Sequence, residues 1–364
     1  QAWNLDDNNL NYMKISVKEK PDLLKRKIFK KEILKKSNNE LDKIIRSLIF
    51  ELLPTCYMED FAFLNKFVNN LPWPKKPKFV FTSNNYTYDS IFKLWIAKKV
   101  GNGTKYFIGQ HGNNLGTRWD LEECIEEVTP NKFLTWGWSK DLKKQSPCFV
   151  FKNAGKKIDY NKNSNLLLVE QALSPNTDFD NSNILLKYFN NQKIFINSLN
   201  ISPRKNLTIK LHNDDNMPKL FDEKLKWLEF DSKLKIHKPF SNFNTLISKC
   251  RLVVHSYDST TFLETLSLNI PTIAFWDNSH NNVKKGNGLD HLNDNAKIYY
   301  QMLIDVGIIH LNATSAANKV NEIWNNVEGW WSQKRVQIFR SQFCEIYAKN
   351  EKNPINKLKE ILLS

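Results

Sequence analysis

The chain has 364 residues, 41% hydrophobic and 12% aromatic, with 53 Lys and Arg against 38 Asp and Glu and a formal charge of +15. That length exceeds one ordinary core and that apolar content excludes a disordered chain, so two folded domains are expected. Apolar runs reach only four residues, as in Phe61–Leu64, which excludes a bilayer-spanning helix of roughly 20 residues.

Residues 1–70 read as charged helix, with Leu and Ile recurring every three to four positions through Leu23–Leu53 and on into Phe61–Val68. Pro72, Pro74 and Pro77 end that pattern. Strands follow at Lys78–Thr82, Lys105–Gln110 and Lys132–Trp136, with a helix over Tyr88–Val100, as in a short parallel α/β unit. Three strands are few for a free-standing sheet, and the chain opens on Gln1, so an N-terminal portion is expected to be missing. The polar stretch Lys152–Asn165 is the expected linker. Beyond it come strand Asn165–Val169, a helix over Asn181–Ser198, strands Leu207–Leu211 and Lys233–Ile236, and a helix over Phe243–Cys250. Next is a β-α-β unit with strand Leu252–Val254, helix Thr261–Leu268 and strand Thr272–Trp276. Strands alternating with helices in this way predict a second Rossmann-like domain. From Asp294 the chain is mainly helical, including Ala316–Trp324 and Trp331–Lys352.

Much of the positive charge lies in Lys14–Lys43 and Lys75–Lys78. A field of that sign attracts nucleic acid, anionic lipid or nucleotide-activated substrates. The Lys- and Asn-rich usage is also what a biased genome composition produces. The expectation is a cytoplasmic protein with peripheral contact at the inner, anionic membrane face. No nucleic-acid-binding signature is present, so no nucleic-acid partner is expected. Cys56, Cys124, Cys148, Cys250 and Cys344 form no CxxC pair, which argues against thiolate metal sites and disulfides and for a reducing compartment.

Two turns carry the candidate chemistry. His255–Thr261 (HSYDSTT) hands a strand to a helix and offers the hydroxyls of Ser256, Ser259, Thr260 and Thr261 beside free helix N–H groups, a setting for a phosphate oxygen. The competing reading is a helix cap by Ser259 or Thr260. Glu264, one turn on, is placed for ribose hydroxyls or for plain surface exposure. Gly109-Gln110-His111-Gly112 follows a strand and sets His111 at the carboxyl edge of its sheet, where ligands of open α/β sheets bind. Gln110, Gly112 and Arg118 complete the expected cleft. Of Asp120, Glu122, Glu123, Glu126 and Glu127 most read as solvated surface, and one, with Asp120, Glu122 and Glu123 as the candidates, would suit the carboxylate that a glycosyl transfer needs. In the acidic stretch, Glu122 shares a helix face with Glu126, and Glu123 with Glu127. Lys210 and His212 alternate to one face at a strand end and suit a phosphate; His237-Lys238-Pro239 is a second such place. There is no GxGxxG, Walker A, HExxH or GxSxG pattern, and Asp258 and Asp277 form no DxD, so neither a metal nor an organic cofactor is expected.

Three segments together resemble a transferase family encoded in O-antigen and other surface-carbohydrate loci. They are the GQHG turn with its acidic stretch and Phe133–Trp138, the Ser256–Glu264 block with Asn269–Trp276, and the tail with Gly307–His310, Ala316-Ala317, Ile323-Trp324 and Trp330-Trp331. The resemblance runs from about Asn84 to Tyr347. More distantly it reaches GT-B transferases that use CMP-activated ulosonic acids, such as capsule Kdo transferases and bacterial sialyltransferases. It implies a GT-B-like fold with a 1–155 helical and acceptor/catalytic domain, a 156–305 donor domain, and 306–364 helices packing back. Members are usually longer at the N-terminus.

By the same resemblance His212 matches the His of an HP motif that contacts the donor phosphate, with Asn213 standing where the proline would be. Ser259, Thr260 and Thr261 match the hydroxyls that hold the CMP phosphate, and Glu264 the Glu of the family block. The function implied is transfer of a Kdo-like or nonulosonic acid from CMP to a glycan or lipid-linked glycan acceptor. A teichoic-acid-type CDP-polyol phosphotransferase and a non-catalytic nucleotide- or carbohydrate-binding subunit are the alternatives.

Overall fold

The structure, a computed structural model, describes residues 20–161, 164–171, 182–212, 222–237, 242–276 and 288–363. Asn181, Asn213, Lys238, Pro239, Asp277 and the lysines before residue 20 lie outside the described residues. The chain divides into two compact units, one built from Gln1–Val80 and Asn84–Thr104 and the other from Phe81–Ser83 and Lys105–Ser364. The boundaries expected near residues 155 and 305 both fall inside the second.

The first unit is helical. Helices Leu23–Leu34 and Glu40–Leu52 start on Asp22 and Asn39, whose side chains accept from Lys25 N and Asp42 N, the usual repair for open helix N–H groups. Phe61–Asn69 and Ser90–Gly101 follow, the latter capped by Asp89, and Trp73 meets Trp95 edge-on at 5.2 Å.

Strands β1 (Phe79–Thr82), β2 (Lys105–Gly109), β3 (Lys132–Thr135) and β4 (Gln145–Pro147) form one sheet in the order β1-β2-β3-β4, parallel from β2 to β4. The expected third strand is therefore followed by a fourth, three residues long and ending in proline. β5 (Asn165–Val169), β6 (Leu207–Lys210), β7 (Lys235–Ile236), β8 (Cys250–His255), β9 (Thr272–Phe275) and β10 (Ile309–His310) form a second, fully parallel sheet. Its order is β10-β9-β8-β5-β6-β7, the doubly wound pattern, with the switch point between β5 and β8. β8 starts at Cys250, so the helix before it ends at Ile247, short of the expected Cys250. Leu166–Leu168, Leu252–Val254 and Ile273–Ala274 have no exposed surface, because helices cover both faces of a parallel sheet. Phe195 stacks on Phe275 at 5.0 Å. The expectation of parallel α/β architecture holds: β2 to β4 of the first sheet and all of the second are parallel, and strands alternate with helices.

The tail is broken into helices Asp294–Asp305, Ala313–Ile323, Val327–Trp331, Lys334–Tyr347 and Pro354–Leu363. After Tyr347 it returns to the first sheet: Lys349 N donates to Trp136 O at 2.9 Å and Val150 N to Lys349 O at 2.8 Å. The expected linker is also docked. Lys152 and Asn153 lie in a short 3-10 turn, and both bind Glu264 of the helix after β8.

Candidate functional site

β2 delivers the chain to Gln110, which is 2% exposed. Its amide nitrogen donates to Gly112 O at 2.9 Å, and its oxygen accepts from Trp136 N and Trp138 Nε1, both at 2.9 Å. One side chain thus closes the turn onto the strand that follows, and the Trp-Gly-Trp sequence exists to meet it. Gln110 is spent on structure. His111, next in line, is exposed.

The turn lies against the one after β8. Thr260 Oγ1 accepts from Asn113 N at 3.0 Å, and Asp258 Oδ1 from Asn113 Nδ2 at 2.7 Å. A Cβ on Gly112 would come to 3.3 Å from Thr260 Oγ1, so only glycine allows this approach without displacement. Further along, Asn293 N donates to Thr117 O at 2.7 Å, Asn293 Nδ2 to Gly116 O at 3.0 Å, and Trp119 Nε1 to Asp290 O at 3.1 Å. Loops at the carboxyl ends of β2 and β8 are therefore fastened together, and the segment before helix Asp294–Asp305 is stitched to the first of them.

Asp258 is the centre of this joint. Its carboxylate, 9% exposed, also accepts from Tyr300 Oη at 3.0 and 3.2 Å and faces His291 Nε2 at 3.4 Å. A carboxylate only accepts, so Nε2 of His291 carries the hydrogen here. Asp258 lay in view in the sequence, but its partners lie 33 and 42 residues downstream and 145 upstream, in segments no motif joins.

The hydroxyls of the β8 turn are each occupied. Ser259 Oγ caps the helix Thr260–Ser267 by accepting from Phe262 N at 2.9 Å. It also contacts Thr261 Oγ1 at 3.0 Å and His255 Nδ1 at 3.3 Å, and Thr261 reaches the same nitrogen at 3.3 Å. Ser256 Oγ donates to Val169 O at 3.0 Å and pairs with Tyr188 Oη at 2.7 Å. Thr265 spends its proton on Phe262 O, so it accepts from His255 Nε2 at 3.2 Å, which leaves Nδ1 as the acceptor for the hydroxyls. Burial pushes the His255 pKa down to about 3, and the ring is neutral.

A cationic group flanks the switch point. Glu264, 2% exposed, pairs with Lys152 Nζ at 3.1 Å; burial raises its pKa and Lys152 opposes the rise. Lys210, half-buried at the end of β6, has its pKa lowered first by burial and then by Lys152. His237 at the end of β7 is lowered by burial and then by Lys210, and His212 is exposed. Lys152 went unnoticed in the sequence because its stretch reads as a polar linker.

The acidic candidates divide. Arg118 grips Asp120 through two bonds of 2.8 and 2.6 Å, which hold the Asp120 carboxyl below its ordinary range. Glu122 is paired with Lys140. Glu123 is exposed and adopts φ 57°, a left-handed turn position. The expected continuous helix carrying Glu122 and Glu126 on one face is replaced by a 3-10 turn at Trp119–Leu121 and a four-residue helix at Ile125–Val128. Glu122, Lys140, Trp119, Asp290 and Lys297 line an open groove of about 620 Å³. Among the described residues no three His, Cys, Asp or Glu side chains gather as a metal site.

A family model, that of the LIC12162 family transferases, matches residues 6–362. The chain belongs to this family. No curated protein matches its sequence. Among solved structures, this LIC12162 family transferase is similar to the spinosyn rhamnosyltransferase SpnG complexed with spinosyn aglycone, at 10% identity and TM-score 0.42, over 93% of this chain and 82% of that one. It is similar to MurG of Acinetobacter baumannii at 12% identity and TM-score 0.37, over 98% and 93%. For WaaG, a glycosyltransferase involved in lipopolysaccharide biosynthesis, the values are 14%, 0.35, 84% and 82%.

Proposed function

We propose that this LIC12162 family transferase is a GT-B-type glycosyltransferase that moves a Kdo-like or nonulosonic acid from a CMP-activated donor to a surface-glycan acceptor. One observation carries the reading: the exposed His111 turn of the four-stranded sheet is clamped through Asn113 to the Thr260 and Asp258 turn of the doubly wound sheet. Carboxyl edges of two parallel sheets meet there, which is where open α/β sheets take their ligands. The donor would lie along β5, β6 and β8, with its single phosphate facing Lys152, Lys210 and the start of helix Thr260–Ser267. The acceptor would enter by the groove at Trp119 and Glu122.

In the transfer, the bond from the anomeric carbon to the CMP phosphate oxygen breaks and CMP leaves with the electron pair. The acceptor hydroxyl oxygen bonds to that carbon and its proton passes to a base. His111 is assigned that role. Asp120 is a poorer base, since Arg118 depresses its pKa, and Glu122 is already paired. Positive charge at Lys152 and Lys210 steadies the leaving phosphate. No metal or cofactor enters the proposal, and no nucleic acid is a partner in it.

Calorimetry with CMP, CDP, UMP, UDP and GDP, with and without EDTA, tests the donor class. Selective CMP binding that EDTA does not change, followed by transfer from CMP-Kdo or a CMP-nonulosonic acid that His111→Ala abolishes, is the expected result. Preference for CDP with a product heavier by a polyol phosphate replaces the proposal with polyol-phosphate transfer. Preference for UDP or GDP removes the CMP donor, and binding without turnover of any activated donor makes the chain a binding subunit.

A further inference from the structure

The first unit carries a surface that the proposed transfer does not use. Helix Glu40–Leu52 places Leu41, Ile44, Ile45, Leu48, Ile49 and Leu52 at i, i+3, i+4, i+7, i+8 and i+11, the stripe a helix ordinarily turns into a core. Here all six are exposed, from 42% at Ile49 to 74% at Leu52, and on the neighbouring helix Leu24 and Ile28 are exposed as well. The hairpin is nonetheless tied down by other faces. Phe29 stacks on Phe50 at 6.3 Å. Buried Arg26 donates to Phe50 O and Leu53 O at 2.7 and 2.9 Å, which closes carbonyls left open at the second helix's end. The same guanidinium grips Glu59 through two bonds of 2.7 and 2.8 Å and draws its pKa down to about 2. The exposed stripe is therefore a fixed face of a braced hairpin.

The charge on these helices selects what covers that face. Residues 23–52 hold nine Lys and Arg against Glu32, Glu40, Asp42 and Glu51. The stripe helix itself has Lys43 and Arg46 against Glu40, Asp42 and Glu51, and the excess sits on the first helix and its end, at Lys25, Lys27, Lys31 and Lys36. A second copy laid on the stripe would bring two such rows of neighbouring lysines together, whereas an anionic bilayer neutralises them. We infer that this hairpin docks on an anionic lipid bilayer, lying in the headgroup plane with Leu41, Ile45, Leu48 and Leu52 in the acyl boundary and its lysines against lipid phosphates. An apolar Leu and Ile face bordered by the lysines of the neighbouring helix binds interfaces in this manner. The inference stands on the first unit alone and is independent of the reaction proposed above.

Sedimentation of the full chain with vesicles tests it, using phosphatidylcholine alone or with roughly a quarter of phosphatidylglycerol. Binding to the anionic vesicles is expected, at least ~tenfold tighter than to neutral ones and weakening with salt. Leu41→Glu with Ile45→Glu and Leu48→Glu should lose at least ~tenfold in vesicle affinity, with an unchanged unfolding midpoint because these side chains face solvent. Ile298→Glu, an exposed apolar position in the second unit, should bind like the parent. Lys25→Glu with Lys27→Glu and Lys31→Glu should abolish the preference for phosphatidylglycerol. A parent chain that ignores both vesicles overturns the inference, as does a triple Glu variant that still binds. So does loss of self-association in place of vesicle binding, which assigns the stripe to a second copy, or binding that appears only after residues 1–19 are removed.

Discussion

Asp258→Asn is the sharpest probe of the joint between the two turns. The carboxylate, 9% exposed, meets Asn113 Nδ2 at 2.7 Å, Tyr300 Oη at 3.0 and 3.2 Å and His291 Nε2 at 3.4 Å. All three partners donate. A carboxamide keeps the shape but has one accepting oxygen and an NH₂ that must face at least one of those donors. A buried donor left unmet costs ~1–3 kcal/mol, and losing the charge from the remaining bonds adds roughly 1. Urea unfolding should therefore lose about 2–4 kcal/mol at unchanged m-value. Tyr300→Phe alone should cost about 1 kcal/mol, and the double variant less than the sum, since both changes remove the same bond. Displacing Asn113 moves the neighbouring His111, so turnover should fall while nucleotide affinity changes little. A loss below about 0.5 kcal/mol in Asp258→Asn, or strict additivity with Tyr300→Phe, refutes the assignment of Asp258 as the clamp.

Two further outcomes follow from the same geometry. Neutral, buried His255 has its folded pKa near 3 against an ordinary 6.5, so the unfolded chain binds the extra proton between those values and stability from this group falls as pH falls. Glu170, Glu223 and Glu264, with raised pKa values, act with the opposite sign, so the test is the difference between parent and His255→Gln. That difference should change by up to ~1.4 kcal/mol per pH unit below pH 6.5, and a flat difference refutes a neutral buried ring. In the proposed donor site, Lys152→Met and Lys210→Met should each weaken CMP binding about tenfold and flatten its salt dependence, whereas unchanged isotherms would remove both lysines from the phosphate.

Much of the architecture was legible because parallel strands buried on both faces are nearly continuous apolar runs, as in Leu166–Val169 and Leu252–Val254. β4 was not, since Gln145-Ser146-Pro147 is short and polar and takes its strand form from pairing with Phe133–Thr135. β10 is two residues that only β9 makes into a strand. At the site, the GQHG and hydroxyl turns stood out as local patterns. Asp258 with His291 and Tyr300 did not, because three segments distant in sequence supply it. Lys152 was hidden by its setting, in a stretch whose composition is that of a linker and whose role appears only once Glu264 is found beneath it.

The hydroxyl accounting also changes what the β8 turn does. Four hydroxyls after a strand suggested a cradle for phosphate, yet Ser256 is tied to Val169 and Tyr188, Ser259 to Phe262, Thr260 to Asn113, and Thr261 to Ser259 and His255. A hydroxyl already in use can add a phosphate oxygen only with a remaining donor or by giving up a partner. Thr260 has a donor to spare, since it accepts from Asn113 N and its own O–H is not used in that bond. A phosphate oxygen at Thr260 would accept that O–H while Asn113 N keeps its lone pair on the hydroxyl, so the Asn113–Asp258 clamp stays closed. The turn is thus first a clasp, with the Thr260 O–H and the charge of Lys152 and Lys210 left for the phosphate of the proposed donor.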